Sequence, residues 1–303
     1  MKSKQPVVLT IGVFDGVHLG HQALVRKTVQ WAKSLKALPA AVTFQDHPLH
    51  VLKGGPSIPF LLPRQETFRL LEKEGIRAVQ VLQFTRSFSQ KTPEQFVQWL
   101  QAKGHLKGIV VGENFRFGHG AKGDVALLKK LGKESGFEVK AVKPVRVKGK
   151  VVSSSRIREL LSLGQTQLAN QLLGRPYSIE GEVVHGKHVG HQIGFPTANL
   201  GHIPEFLPKD GVYACSVKLG AKYYRAGMNL GKRPTFKEDD HHRQAEVHLL
   251  HYYGKLYGRR MQVYLLKYLR PEKKFSSSAE LVKQIRKDLI QVKKASLKGI
   301  KSA

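Results

Sequence analysis

The sequence predicts an α/β domain on a parallel, doubly wound sheet, followed by an antiparallel β domain with a C-terminal helix. Three observations carry this. Through the first half, short apolar or β-branched runs alternate with helix-like segments, as in strands joined by crossover helices. After Gly174-Arg175-Pro176-Tyr177 the pattern becomes short alternating strands broken by glycine and proline, as in a barrel or sandwich. Near the end of the 303 residues comes an amphipathic stretch with Leu281, Val282, Ile285 and Leu289 recurring at helical spacing. The length suits two domains, 1–173 and 174–303, with a boundary near Gly174 and no low-complexity linker.

Taken in order, residues 7–11 (Val-Val-Leu-Thr-Ile) read as a buried strand. A helix signal follows His21, with Leu24, Val25, Val29 and Ala32 apolar. Residues 40–44 read as a second strand, 64–73 as a helix and 78–82 as another strand. Thr92-Pro93-Glu94-Gln95 opens a helix, with Thr92 as N-cap, Pro93 at the first position and Gln95 completing a capping box. Residues 108–112 form a further buried strand, and 124–132 a helix. In the second half, 178–184, 212–219, 223–228, 245–250 and 261–266 read as strands, and Ser277 or Ser278 caps the last helix.

Composition narrows the function classes. Hydrophobic residues make up 41%, enough for packed cores. No apolar run approaches the roughly 20 residues of a membrane span, and Met-Lys-Ser-Lys-Gln-Pro is not a secretory signal. A single cysteine, Cys215, forbids an intrachain disulfide and lies in an alternating apolar segment, so a core role and a cytoplasmic setting are expected. The net charge of +29 favours anionic partners. It is spread along the chain and densest over 283–301, without an RNA-recognition, zinc-finger or basic-zipper pattern, so neither nucleic acid nor membrane is an expected partner. A transient homo-oligomer is compatible with the sequence.

The chemistry starts at Gly12-Val-Phe-Asp-Gly-Val-His-Leu-Gly-His21. Its glycines permit a tight turn and close backbone approach to a ligand. Its histidines, His18 and His21, stand where a strand meets a helix start, a position that favours anions. Three more segments follow: Phe44-Gln-Asp-His-Pro48, Gly112-Glu-Asn-Phe-Arg-Phe-Gly118 and Val152-Ser-Ser-Ser-Arg-Ile-Arg158. His-x-Gly-His resembles the nucleotidylyltransferase signature. The longer Gly-x-Phe-Asp-Gly-x-His-x-Gly-His form is similar to the FMN adenylyltransferase half of bacterial bifunctional riboflavin kinase/FAD synthetases, and the other segments resemble that family's motifs in order. The resemblance implies a Rossmann-like domain in which an FMN phosphate attacks the α-phosphorus of ATP. By it, His18 and His21 stabilise the phosphates in catalysis. Gly12, Phe14, Gly20, Asn114, Ser153, Ser154, Ser155 and Arg158 contact nucleotide and phosphate, and Phe115 and Phe117 line a flavin pocket.

In the second half, Gly186-Lys-His-Val-Gly-His-Gln-Ile-Gly-Phe-Pro-Thr-Ala-Asn199 spaces glycines as a phosphate-wrapping loop would. Gly-Phe-Pro-Thr-Ala-Asn resembles the riboflavin kinase signature, implying a six-stranded barrel. By that resemblance Gly186, Gly190, Gly194 and Pro196 approach ATP, and Thr197 and Asn199 hold Mg²⁺. Glu246 is the catalytic base for the riboflavin hydroxyl, and Arg233 and Arg270 meet the flavin. Strand alternation puts Glu246 and His248 on one face, opposite Val247 and Leu249.

The chain departs from the family pattern at Asp46 (proline), Ser155 (threonine), His191 (arginine) and His251 (aspartate), and 118–123 lacks a frequent arginine. His241, His242, His248 and His251 raise a metal question; alternation separates His248 from His251, and no metal site is expected. The competing readings are a basic nucleic-acid-binding protein on the same folds, or one retained activity. Intact His18/His21 and Thr197/Asn199/Glu246 argue against both.

Overall fold

The computed structural model describes residues 5–53, 59–186, 193–201, 203, 205–232 and 243–297. The chain forms two compact units, one of Met1–Phe60 and Arg64–Ser153, the other of Leu61–Pro63 and Ser154–Ala303.

The first unit is a five-stranded parallel sheet. Its strands are β1 (Val7–Ile11), β2 (Leu38–Phe44), β3 (Ala78–Leu82), β4 (Leu106–Gly112) and β5 (Glu138–Val142), in the order β3-β2-β1-β4-β5. Its main helices are α1 (Leu19–Ser34), α2 (Pro48–Lys53), α3 (Arg64–Lys73), α4 (Arg86–Ser89), α5 (Pro93–Gln101) and α6 (Val125–Glu134). Both sheet faces are covered, as apolar strands require. Leu9, Ile11, Ile109 and Val111 pack with Phe96, Leu100 and Leu128, while Val8 and Val110 pack with Trp31 and Ala32. A Cβ on Gly108 would run into the Trp31 ring, so glycine lets α1 sit close. The Thr92 capping box forms as expected.

Strand order reverses between β1 and β4. The segments leaving their C-terminal ends, 12–18 and 113–118, therefore emerge side by side, where doubly wound sheets bind ligands. Strand β5 and the short hairpin of β6 (Arg146–Val147) and β7 (Lys150–Val151) are absent from the sequence-based expectation. Glu138 and Lys140 hide β5 from an apolar-run criterion. At the sheet edge Glu138 stays in water, and Lys140 lays its amine 4.0 Å from the Trp31 ring centroid.

The second unit opens with α7 (Ser154–Ser162) and α8 (Thr166–Leu173). Six antiparallel strands then close into a barrel: β8 (Tyr177–Val184), β9 (Ala198–Leu200), β10 (Gly211–Leu219), β11 (Lys222–Lys232), β12 (Arg243–Leu249) and β13 (Arg260–Arg270), in the order β10-β11-β12-β9-β8-β13. The inside is filled by alternate residues, among them Ile179, Tyr213, Val217, Met228, Val247 and Leu265. Cys215 joins them, fully buried, and burial pushes its thiol pKa up, so it is a packing residue and no nucleophile. The buried hydroxyls of Tyr177 and Tyr213 donate to the carbonyls of Phe206 and Lys209, tying the β9–β10 connection to the barrel. Helix α9 (Ser278–Lys294), capped by Ser277, lies on the outer wall through Leu289 and Val292 against Ala214 and Gly227.

Candidate active sites

In the first unit, the turn after β1 carries the site. Gly12 N–H donates to Val42 O at 3.1 Å, continuing the sheet by one residue. The chain then turns through Phe14 (φ 52°), Gly16 (φ 78°) and Val17 (φ 38°), all left-handed. A β-branched residue there is strained, and such strain clusters at ligand-binding turns. Phe14 is wholly buried with its ring 3.4 Å from where a Gly12 Cβ would stand, and the Asp15 side chain is buried beside it. Helix α1 begins at Leu19, three residues before the sequence signal. Hence His18 is its N-cap and His21 lies in its first turn. His18 Nδ1 accepts from the backbone N–H groups of Gly20 (3.1 Å) and His21 (3.3 Å). The two imidazoles stack at 3.7 Å between centroids, and Phe14 meets His21 edge-on at 5.3 Å.

Near this turn, Arg64 at the start of α3 lies 4.9 Å from the Phe60 ring centroid, between the fields of Asp46 and Asp15. Burial lowers its pKa and the two carboxylates oppose that. After β4, Asn114 is exposed and tucks its Oδ1 over Gly112, 2.9 Å from a Cβ placed there. Phe117 is a core residue packed on Phe96, and the half-buried Phe115 stacks on it at 5.7 Å. Val152 O lies 3.8 Å from a Cβ placed on Gly20, which brings the end of the unit, at Ser153, close to the histidine turn. Ser154, Ser155 and Arg158 start α7 in the second unit, where the Arg158 guanidinium lies 6.0 Å from the Phe206 ring centroid.

In the second unit, strand register builds the site. Asn199 pairs with Glu246, Glu246 with Asn229, Asn229 with Val212 and Val212 with Arg270. These residues form one row across β9, β12, β11, β10 and β13 on the outer wall. His248 shares that face with Glu246, while Val247 and Leu249 are buried on the other, as alternation predicts. Between this wall and α9 lies a cavity of about 380 Å³. Thr197, Glu246, Asn229 and Arg270 contribute to its polar lining, and Phe275, Leu281, Ile285 and Leu289 to its apolar one. Asn229 Nδ2 donates to Glu272 at 3.0 Å. The Arg270 guanidinium donates to both oxygens of the buried Asp288 carboxylate at 2.8–3.2 Å, and Gln284 donates to the same carboxylate at 2.9 Å. His248 Nδ1 is 2.8 Å from Pro196 O, and its ring meets Phe195 edge-on. A second cavity, of about 420 Å³, is lined by Gly194, Pro196, His248, His251, Tyr252, Tyr253, Arg286 and Lys293.

Residues 1–156 match the FAD synthetase family and residues 173–296 the riboflavin kinase family. The bifunctional riboflavin kinase/FMN adenylyltransferase of Escherichia coli K12 is 39% identical over 284 residues, covering 93% of this chain and 90% of that one. This chain belongs to the bifunctional riboflavin kinase/FMN adenylyltransferase family. The namesake protein of Buchnera aphidicola from Schizaphis graminum is 35% identical, covering 94% of this chain and 93% of its own length. A crystal structure from Streptococcus pneumoniae, described as a macrolide-efflux protein, superposes with a TM-score of 0.90 at 32% identity, covering 98% of this chain and 96% of that one. Among the described residues of the present chain, no helix is long and apolar enough to cross a membrane.

Within this family member, Gly190, His191 and Arg233 lie outside the described residues, as do His241 and His242. The expected separation of His248 and His251 is corrected. Strand β12 ends at Leu249, His251 turns the chain at φ 58°, and both histidines line the second cavity. Among the described residues no group of three or more histidine, cysteine or acidic side chains is placed to hold a metal. Glu272 and Asp288 escaped the sequence reading, and only their contacts with Asn229 and Arg270 reveal them.

Proposed function

We propose that the chain phosphorylates riboflavin with ATP and adenylylates the resulting FMN to FAD, the first reaction assigned to 174–303 and the second to 1–173, in a cytoplasmic setting. The observation that carries this is the Glu246–Asn229–Val212–Arg270 row opening onto a cavity with an apolar wall. An aromatic ring system with a hydroxylated chain needs that combination. The apolar wall of Phe275, Leu281 and Ile285 takes the ring, and Glu246 accepts the proton of the terminal hydroxyl as it attacks ATP. The aromatic and cationic lining of the second cavity suits the nucleotide.

Thr197 and Asn199 fit Mg²⁺ through their chemistry. They offer hydroxyl and amide oxygens, which suit a hard cation also held by substrate phosphates. Asn199 Oδ1 is buried without a hydrogen-bond partner in the structure, and Gly186 comes so close that a Cβ there would overlap the Asn199 amide. The cation, when bound, neutralises phosphate charge. In the first unit, His18 and His21 donate to the phosphates at a helix start. Positioning and charge stabilisation suffice there, with no covalent intermediate.

The test is product analysis. With riboflavin, MgATP and pyrophosphatase, the full chain is expected to give FMN and then FAD. FMN without FAD would leave a kinase alone, and unchanged riboflavin would overturn the proposal.

A further inference from the structure

We infer that His18 is locked as a single neutral tautomer by capping helix α1 through Nδ1, and that this lock commits its other nitrogen, as Nε2–H, to the phosphates. The phosphate half of this inference rests on the adenylyl-transfer proposal; the cap does not. A backbone N–H can only donate. The ring nitrogen that receives Gly20 N–H at 3.1 Å and His21 N–H at 3.3 Å must therefore present a lone pair, and a neutral imidazole then carries its proton on Nε2. An imidazolium has no acceptor to offer here. It would also sit at the positive end of the α1 dipole, face to face with His21 at 3.7 Å.

Gly20 makes the arrangement possible. A Cβ there would stand 3.0 Å from Cε1 and 3.1 Å from Nδ1 of His18, so any side chain would press the ring off the helix start. Within this His-Leu-Gly-His segment, the glycine is room for the cap. His18 thus does through one ring what usually takes two residues. Nδ1 satisfies two orphan N–H groups of the helix, and Nε2–H is held rigid as a donor. The ring is only 6% exposed, which leaves it little freedom to turn over.

Two isosteres separate the two nitrogens. Asparagine places its amide oxygen where Nδ1 stands and leaves the Nε2 position empty. Glutamine reaches the Nε2 position with its amide N–H and leaves the cap empty. The full chain labelled with ¹⁵N-histidine is examined by long-range ¹H–¹⁵N correlation, with His18 assigned by its loss in His18→Asn. The expected result is an unprotonated Nδ1 and a protonated Nε2 without any ligand. His18→Asn is expected to melt with the wild type and to lose about 10²–10³ in FAD formation from FMN. His18→Gln is expected to melt about 2–4 °C lower and to keep more of that activity than the asparagine variant. A protonated Nδ1 in the wild type, or equal melting of the two variants, overturns the cap. Wild-type protein that forms no FAD overturns the phosphate half together with the adenylyl-transfer proposal, while tautomer and melting still decide the cap.

Discussion

The two candidate sites are assembled in opposite ways. In the parallel-sheet unit, the two histidines sit in one unbroken stretch, Gly12 to His21, whose backbone turn and helix start do the arranging. In the barrel, the row from Asn199 to Arg270 comes from five strands, and none of its members is near another along the chain. A local site is fixed by short-range backbone geometry and tolerates change elsewhere. A register-built site depends on every strand pairing between its members, because a slip of one residue would turn Glu246 into the barrel core.

The sharpest way to break this contrast is to disable the local site alone. Replacing both His18 and His21 by alanine removes two phosphate donors at about 10²–10³ each, so FAD formation from FMN should fall by about 10⁴–10⁶ while riboflavin phosphorylation continues. Loss of both activities in a folded double variant would end the assignment of one reaction to each unit. Next in size, Glu246→Gln should lower the phosphorylation rate by about 10²–10⁴ with riboflavin affinity, read by flavin fluorescence, little changed. A wild-type rate would return Glu246 to an ordinary strand position.

A smaller effect tests the cavity wall. Asp288→Asn weakens the clamp on Arg270, so KM for riboflavin should rise about tenfold, a loss of one charge-assisted contact, with kcat nearly unchanged. A fall in kcat with KM constant would show that the pair serves the chemistry and not the wall. The smallest effect concerns Glu205, whose pKa burial raises from 4.5 to about 7, with Glu180 adding to the rise and Arg260 opposing it. The folded state therefore holds this proton more tightly than the unfolded state. Its contribution to stability is full below about pH 4.5 and is lost as pH rises through about 7. Glu205→Gln should flatten the decline of Tm between those limits, and an unchanged slope would rule Glu205 out as its source.

Legibility follows the same divide. Strand β3 and helix α3 fall on the expected residues because apolar periodicity and end signals are local. The capping box at Thr92 was readable for the same reason. Strand β9 hides in the Pro196-Thr197-Ala198-Asn199 run, too short to alternate visibly and defined only by its partners β8 and β12. Glu246 carries a motif, but Glu272 and Asp288 carry no local mark. One is an acid just past a strand, the other an acid in a basic helix, and each meets its partner only through the fold.

The closing seam of the barrel has a consequence for the order of synthesis. Strand β8 takes its place against β13, Tyr177 opposite Leu265, and α9 covers the wall later still. A chain emerging from the ribosome can complete the parallel sheet once Val142 is out, whereas the barrel waits until its last strand has been made. Non-local pairings of this kind are slow to form, and N-terminal units fold first during translation. Each nascent molecule therefore passes through an interval in which the β1–β5 sheet is complete and β8 has no partner at its seam. In that interval the unpaired edge of β8 is the part of the chain most in need of protection from other nascent strands.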